Sequence, residues 1–187
     1  LLLEKALVDE PENADYVYYL AQSYLNAGEL QLALKNYERR GQMQGWDQAT
    51  FWSVYYAGVL REQLGMPSET FVKNYSDAFR LRPTRAEPLY RLANYFYHTD
   101  NFILSYIVSR TALAIPVPGD LIYVEHSIYE YALPFLFANA AFQIGQHKEA
   151  LVIYQKLLES GNVSDQFKEQ VRKNLLLLKE RMNRPLA

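Results

Sequence analysis

The 187-residue chain has no cysteine. That excludes disulfide scaffolds, thiol nucleophiles and cysteine-ligated zinc or iron–sulfur centres. It has no surplus of either charge: Lys plus Arg number 19 and Asp plus Glu 21, a net charge of -2. Proteins that neutralise phosphates are usually basic, so nucleic acid is not an expected partner. Long apolar runs are also missing. The longest, from Tyr131 to Phe142, is interrupted by Pro134 and Asn139 and falls short of the ~20 residues of a membrane span. There is no basic, apolar, small-residue leader. The opening Leu1-Leu2-Leu3-Glu4-Lys5-Ala6 reads as the end of a helix, so the chain is expected to be a segment of a longer, cytoplasmic protein.

Histidine is sparse. His98, His126 and His147 are far apart, and none has a histidine three or four residues away, as a helical zinc site requires. Gly-x-Gly-x-x-Gly, a Walker loop and a Gly-x-Ser-x-Gly elbow are all missing. The segment is therefore expected not to be an enzyme and to carry no cofactor and no metal. What is present is a globular balance, 50% hydrophobic and 21% charged, with a marked excess of tyrosine. Tyr numbers 16 against 9 Phe and 2 Trp.

Internal repetition organises these residues. Leu20, Ala21, Tyr24, Gly28, Ala33 and Tyr37 form a spaced set. Small residues let paired helices approach, a glycine turns the chain, and an aromatic fills the gap to the next pair. Gly58 and Gly65 repeat the spacing of Ala21 and Gly28, followed by Tyr75, Ala78 and Pro83. Leu92, Ala93 and Phe96, then Ser105 and Ala112, mark a third unit. There Asp100-Asn101 replaces the turn glycine, both types that tolerate a left-handed backbone. Ala138, Gly145, Ala150 and Tyr154 mark a fourth. The turn positions step by 37, 35 and 45 residues (Gly28, Gly65, Asp100, Gly145). The pattern resembles the tetratricopeptide repeat, a helix–turn–helix unit of about 34 residues.

The expected fold is all-α: a tetratricopeptide-like solenoid of about four repeats and a capping helix. The expected division is a single array. It comprises the end of a truncated repeat (1–11), repeats at 14–40, 51–83 and 86–115, an insertion at 116–132, a fourth repeat at 133–160 and a cap at 164–182. Ser164 is a plausible N-cap for the last helix, with Phe167, Val171 and Leu175 on its apolar stripe.

Three stretches are not demanded by the repeat: Gly45-Trp46-Asp47, the run from Leu81 to Ala93 containing Pro83-Thr84-Arg85-Ala86-Glu87-Pro88-Leu89-Tyr90, and Pro116-Val117-Pro118-Gly119-Asp120 with Tyr129-Glu130-Tyr131. They resemble the tetratricopeptide region C-terminal to the catalytic domain in some bacterial family-two glycosyltransferases. The resemblance spans about Gly45 to Leu177. It implies a nucleotide-sugar transferase upstream, with this segment positioning the acceptor or setting a dimer. The chain departs from that pattern at Phe135 and Leu136, where such regions often carry an acidic pair.

Candidate binding residues follow from the repeat register, since the first helix of each unit lines the concave face of such arrays. Tyr18, Gln22, Trp52, Tyr55, Tyr90, Asn94, Tyr97 and Asn139 are expected to form a groove for a peptide or protein partner, or for the chain's own upstream domain. Aromatics give large contact area at low entropic cost, and asparagine can bond a backbone through both its donor and its acceptor. The alternative for each ring is helix-on-helix packing. Arg82, Arg85 and Arg91 form a candidate anion site, since guanidinium forks suit carboxylate and phosphate; the alternative is favourable charge at a helix end and a solvated loop. Up to Glu29 the chain has six acids and one Lys, whereas Asp165 to Arg184 holds six bases and three acids. That asymmetry would suit head-to-tail contact between copies or docking to a neighbouring domain; the alternative, ordinary solvated surface, is the favoured expectation.

Overall fold

The computed structural model describes residues 2–121 and 123–183. Among them are ten α-helices: α1 (Leu2–Asp9), α2 (Ala14–Asn26), α3 (Leu30–Gln42), α4 (Asp47–Gln63), α5 (Ser68–Leu81), α6 (Glu87–His98), α7 (Phe102–Leu113), α8 (Leu133–Gln143), α9 (His147–Glu159) and α10 (Asp165–Asn183). No strand occurs among the described residues. The chain divides into two compact units. The first comprises Leu1–Pro83 and Gly119–Val124; the second comprises Thr84–Pro118 and Glu125–Ala187.

The turn chemistry follows the residues expected to provide it. Gly28, Gly65 and Gly145 have φ of 78°, 67° and 82°, and Asp100 has φ of 58°. At each of these turns the next residue donates its N–H five residues back: Glu29 to Tyr24, Met66 to Arg61, Asn101 to Phe96 and Gln146 to Ala141, at 2.8–2.9 Å. This bond satisfies a carbonyl that the helix end would otherwise leave open, and it needs a left-handed residue just before it. Asp100 fills that role as the one positive-φ residue other than glycine among those described.

Helix starts are likewise local in origin. Asn13 and Asn101 accept from the backbone N–H groups of Tyr16 (3.1 Å) and Leu104 (3.3 Å). Ser164 accepts from the N–H of Phe167 at 3.3 Å, as an N-cap does. Pro67 precedes α5, and Pro88 and Pro134 occupy first-turn positions of α6 and α8, where the missing N–H costs little.

In the first unit, helices α1 to α5 pack each on the next in chain order; in the second, α6 to α10 do the same, and α8 also touches α6 and α10. Small residues mark the crossings. Ala21, Ala33, Ala78, Ala93, Ala112, Ala138 and Ala150 are all fully buried. At Gly58 a Cβ would stand 2.8 Å from both the Asn74 Cβ and the Tyr75 ring, so α4 and α5 approach too closely for any side chain there. Between the crossings, Tyr37, Tyr75 and Tyr154 are buried completely, each worth roughly 1.5–3 kcal/mol of apolar burial.

Two boundaries differ from the sequence expectation. Helix α4 begins at Asp47 rather than at 51. The far part of the insertion is helical: Ile128–Ala132 form a π-turn that runs into α8, with the N–H of Leu133 bonded to the carbonyl of Ile128. Pro134 provides a physical reason. Its ring would crowd the carbonyl four residues back in an α-helix, and a wider turn relieves this.

Candidate functional site

The groove residues expected from the register fall into two environments. In the second unit, Tyr90, Asn94, Tyr97 and His98 of α6 face Ala132, Phe135, Leu136 and Asn139 and, from α10, Phe167, around a cavity of about 260 Å³. Tyr90, Asn94, Tyr97 and Asn139 therefore come together, each half-buried. The aromatic wall is held from behind. Phe135 packs edge-to-face on Phe167 at 4.9 Å, and Tyr131 on Phe167 at 5.0 Å. Tyr97 packs on Phe102 at 5.3 Å.

The amide of Asn139 is oriented by its neighbours. Its Oδ1 accepts from the Tyr154 hydroxyl at 2.6 Å and from the Asn174 amide at 2.8 Å. Asn174 is itself held by Gln170 at 3.0 Å. With the carbonyl side used, what Asn139 has to offer a ligand is its NH₂ group. Burial pushes the Tyr154 phenol well above the ordinary tyrosine range. Phe167 and Asn174, on the final helix, were not among the candidates. The alternation of Phe167, Val171 and Leu175 showed only a packing stripe and gave no sign that its first member reaches a cavity.

In the first unit the same register positions are mostly core. Tyr55 is fully buried, against Phe51 at 6.0 Å, Trp52 at 5.6 Å and Tyr75 at 6.0 Å. Tyr18 is 4% exposed, and its hydroxyl accepts from Gln22 at 2.8 Å. Burial pushes its phenol well up. These two rings pack helix on helix and present at most 4% of their surface, which corrects the expectation of a ladder that includes them. Trp52 is 4% exposed, and part of its cover is Tyr123 from the insertion, stacked at 5.6 Å and 25°. Behind Tyr123 lies a cavity of about 170 Å³ lined by Gln22, Leu25, Asn26, Tyr37, Trp52 and Tyr56.

The insertion reaches this unit through three described residues. Asp120 takes a two-pronged contact from Arg82, with Nε to Oδ2 at 2.7 Å and a terminal nitrogen to Oδ1 at 2.5 Å. Leu121 donates its N–H to the Gln48 side chain at 3.1 Å. Tyr123 follows on Trp52. Sequence reasoning did not place Gln48, Asp120 or Tyr123 among the candidates, although an acid and an aromatic in a Pro- and Gly-bearing insertion were the available signal.

The three arginines do not form one anion site. Arg82 holds Asp120 and, at 2.7 Å, Asp47; these carboxylates hold its guanidinium more firmly protonated than usual. Arg85 and Glu87 are both fully buried, with Arg85 Nε 3.0 Å from each carboxylate oxygen and a terminal nitrogen at 2.6 Å. The Tyr129 hydroxyl donates to the same carboxylate at 2.6 Å and accepts from the N–H of Ala86 at 3.0 Å. Burial, then the Glu87 carboxylate, pushes the Tyr129 phenol well up. A buried pair tolerates its desolvation only when bonded this fully, and loss of one partner typically costs about 3–5 kcal/mol. Arg91 meets Glu125 at 3.4 Å. The expected anion site is corrected accordingly: each of these cations already binds a carboxylate of the chain itself.

The stretches that the repeat does not demand thus have structural uses. Arg40, fully buried, donates to the carbonyls of Met43 (3.4 Å) and Trp46 (3.2 Å) and to the Thr50 hydroxyl (3.0 Å). That closes the loop around Gly45-Trp46-Asp47. Asp47, Arg82 and Asp120 join the second helix pair to the insertion, while Arg85, Glu87, Glu125 and Tyr129 anchor its other end.

No family model and no curated protein matches the chain. Solved structures do. A MamA double mutant (RS-1 ArsTM) superposes with a TM-score of 0.69 at 16% identity, covering 91% of this chain and 85% of that one. A tetratricopeptide repeat protein from Parabacteroides merdae gives a TM-score of 0.68 at 17% identity, covering 96% and 65%. A thermophilic TPR protein from Thermus thermophilus gives 0.58 at 19%, covering 94% and 88%. The fold is therefore that of a tetratricopeptide-like α-solenoid. No described helix is long and apolar enough to cross a membrane.

Proposed function

We propose that the chain is a non-catalytic interaction module that binds an extended polypeptide, with its main contact in the trough of the second unit. The convergence of Tyr90, Asn94, Tyr97, Phe135 and Asn139 on one cavity carries this reading. It combines aromatic walls with amides that can bond a backbone, the mixture that peptide grooves use. The side chain of Asn94 has no hydrogen bond with another described residue, so its amide donor and acceptor are both available to a peptide bond. The tetratricopeptide-like fold supports the reading in a general way.

A peptide library displayed against the whole chain tests it. Selected peptides should lose at least about tenfold in affinity on Asn94→Ala or Tyr97→Ala, with far-ultraviolet helicity unchanged. A library that yields no binder, or binders indifferent to both substitutions, overturns the proposal.

The stretches resembling glycosyltransferase-associated regions favour a second reading, in which the module serves a catalytic domain in the same polypeptide by positioning its acceptor or setting its dimer. A sugar-nucleotide domain with an Asp-x-Asp loop in the same open reading frame would support it, and a free-standing module would sink it.

A further inference from the structure

The first unit already holds a piece of polypeptide: the insertion, through Asp120, Leu121 and Tyr123. We propose that this is a ligand site, that its ligands are peptides with a carboxylate followed three residues later by an aromatic, and that the insertion occupies the site as a built-in competitor. The proposal rests on the reading of the chain as a polypeptide-binding module, and it names the ligand chemistry and the regulation of a second site.

Three contacts define the recognition. The Arg82 fork grips Asp120 by two hydrogen bonds at 2.7 and 2.5 Å, the geometry by which guanidinium selects carboxylate. Gln48 accepts a backbone N–H at 3.1 Å, a contact any peptide can make. Trp52 takes the aromatic face-on at 5.6 Å. Burial is uneven along the insertion. Asp120, in the grip of Arg82, is 8% exposed, whereas Tyr123 keeps 65% and Leu121 89% of their surface in solvent. The insertion is thus held at one buried side chain and one ring face and leaves much of itself outside, as a bound peptide does and a core segment does not.

The cavity behind Tyr123 strengthens the case. It reaches Gln22, Asn26 and the fully buried Tyr37, so Tyr123 leaves part of its own site unfilled. A larger aromatic, or one carrying a hydrogen-bonding group, would fill it better.

A tethered segment competes at an effective concentration in the millimolar range. The intact chain should therefore bind an external copy poorly, and a chain with its own segment disarmed should bind it well. The test uses a fluorescent peptide copying residues 118–125, read by anisotropy against the whole chain and against the double variant Asp120→Ala with Tyr123→Ala. The double variant should bind at least about tenfold tighter than the intact chain. That gain should vanish when Arg82→Gln is added, and when the peptide carries Asn for its aspartate or Ala for its tyrosine. If the double variant loses helicity, the single Tyr123→Ala chain replaces it with the same expectations. No binding by the disarmed chain overturns the proposal and makes the insertion a structural strut, as does binding that ignores Arg82. If library peptides that depend on Asn94 still bind that chain, the interaction-module reading stands and only this site fails; if they too are absent, both fall.

Discussion

The two units use one repeat position in opposite ways. In the first, the inward stripe of α2 and α4 is closed: Tyr18 and Trp52 keep 4% of their surface and Tyr55 none. In the second, the corresponding stripe of α6 and α8 stays half-open and surrounds a cavity of about 260 Å³. The sequence motif is shared by α2, α6 and α8, an aromatic with an amide four residues on (Tyr18 and Gln22, Tyr90 and Asn94, Phe135 and Asn139), whereas in α4 Tyr55 is followed there by Val59. The difference comes from what covers the stripe. Around Tyr55, the neighbours Phe51 and Trp52 supply rings from its own helix, and Tyr75 arrives from α5 beside the missing side chain of Gly58. Tyr123 of the insertion then lies on Trp52. A repeat position is therefore not a surface position until its neighbours are known.

Substitutions can break or sharpen this contrast. The largest effect is expected at its centre. Tyr55→Ala empties a fully buried ring and should cost about 3–5 kcal/mol in urea unfolding. Tyr90→Ala, at the half-buried counterpart, should cost less than about 1.5 kcal/mol while weakening capture of library peptides. Equal losses of stability would erase the distinction between closed and open stripes.

A smaller effect is expected where the first unit gains its closeness. Gly58→Ala places a Cβ 2.8 Å from both the Asn74 Cβ and the Tyr75 ring. The overlap should destabilise by roughly 1–3 kcal/mol, against the gain of about 1 kcal/mol that alanine normally brings to a helix interior. A more stable variant, read by thermal unfolding, would show that α4 and α5 can part without loss.

The smallest concerns the turns. The first unit uses glycine at all three of its described positive-φ positions, Gly28, Gly45 and Gly65, whereas the second uses Asp100 at φ 58° and Gly145. Asp100→Gly relieves the Cβ strain of a left-handed aspartate and should stabilise by about 0.5–1 kcal/mol. A loss instead would mean that the Asp100 side chain contributes more than its backbone strain costs.

How much was legible beforehand follows the range of the interactions. The turns at Gly28, Gly65, Asp100 and Gly145, the cap at Ser164 and the proline-marked helix starts depend on a few neighbouring residues, so their spacing revealed them. The trough was legible in part, through Tyr90, Asn94, Tyr97 and Asn139. Phe167, which lies 77 residues beyond Tyr90, was not, because nothing local ties it to that cavity. The arginines show the same limit. A cluster in sequence suggested one anion site, but Arg82 meets Asp120 across 38 positions and Arg91 meets Glu125 across 34. Charge pairing at such separations leaves no periodic trace.

By itself the sequence determined the helix pairs and their fold class, because helix periodicity, small crossing residues and left-handed turn residues act within about 34 residues. Only the tertiary structure decided which aromatics are core and which are surface, and that the insertion is gripped at Asp120 and Tyr123. Burial and ion pairing are properties of what surrounds a side chain, and here those surroundings come from distant parts of the chain.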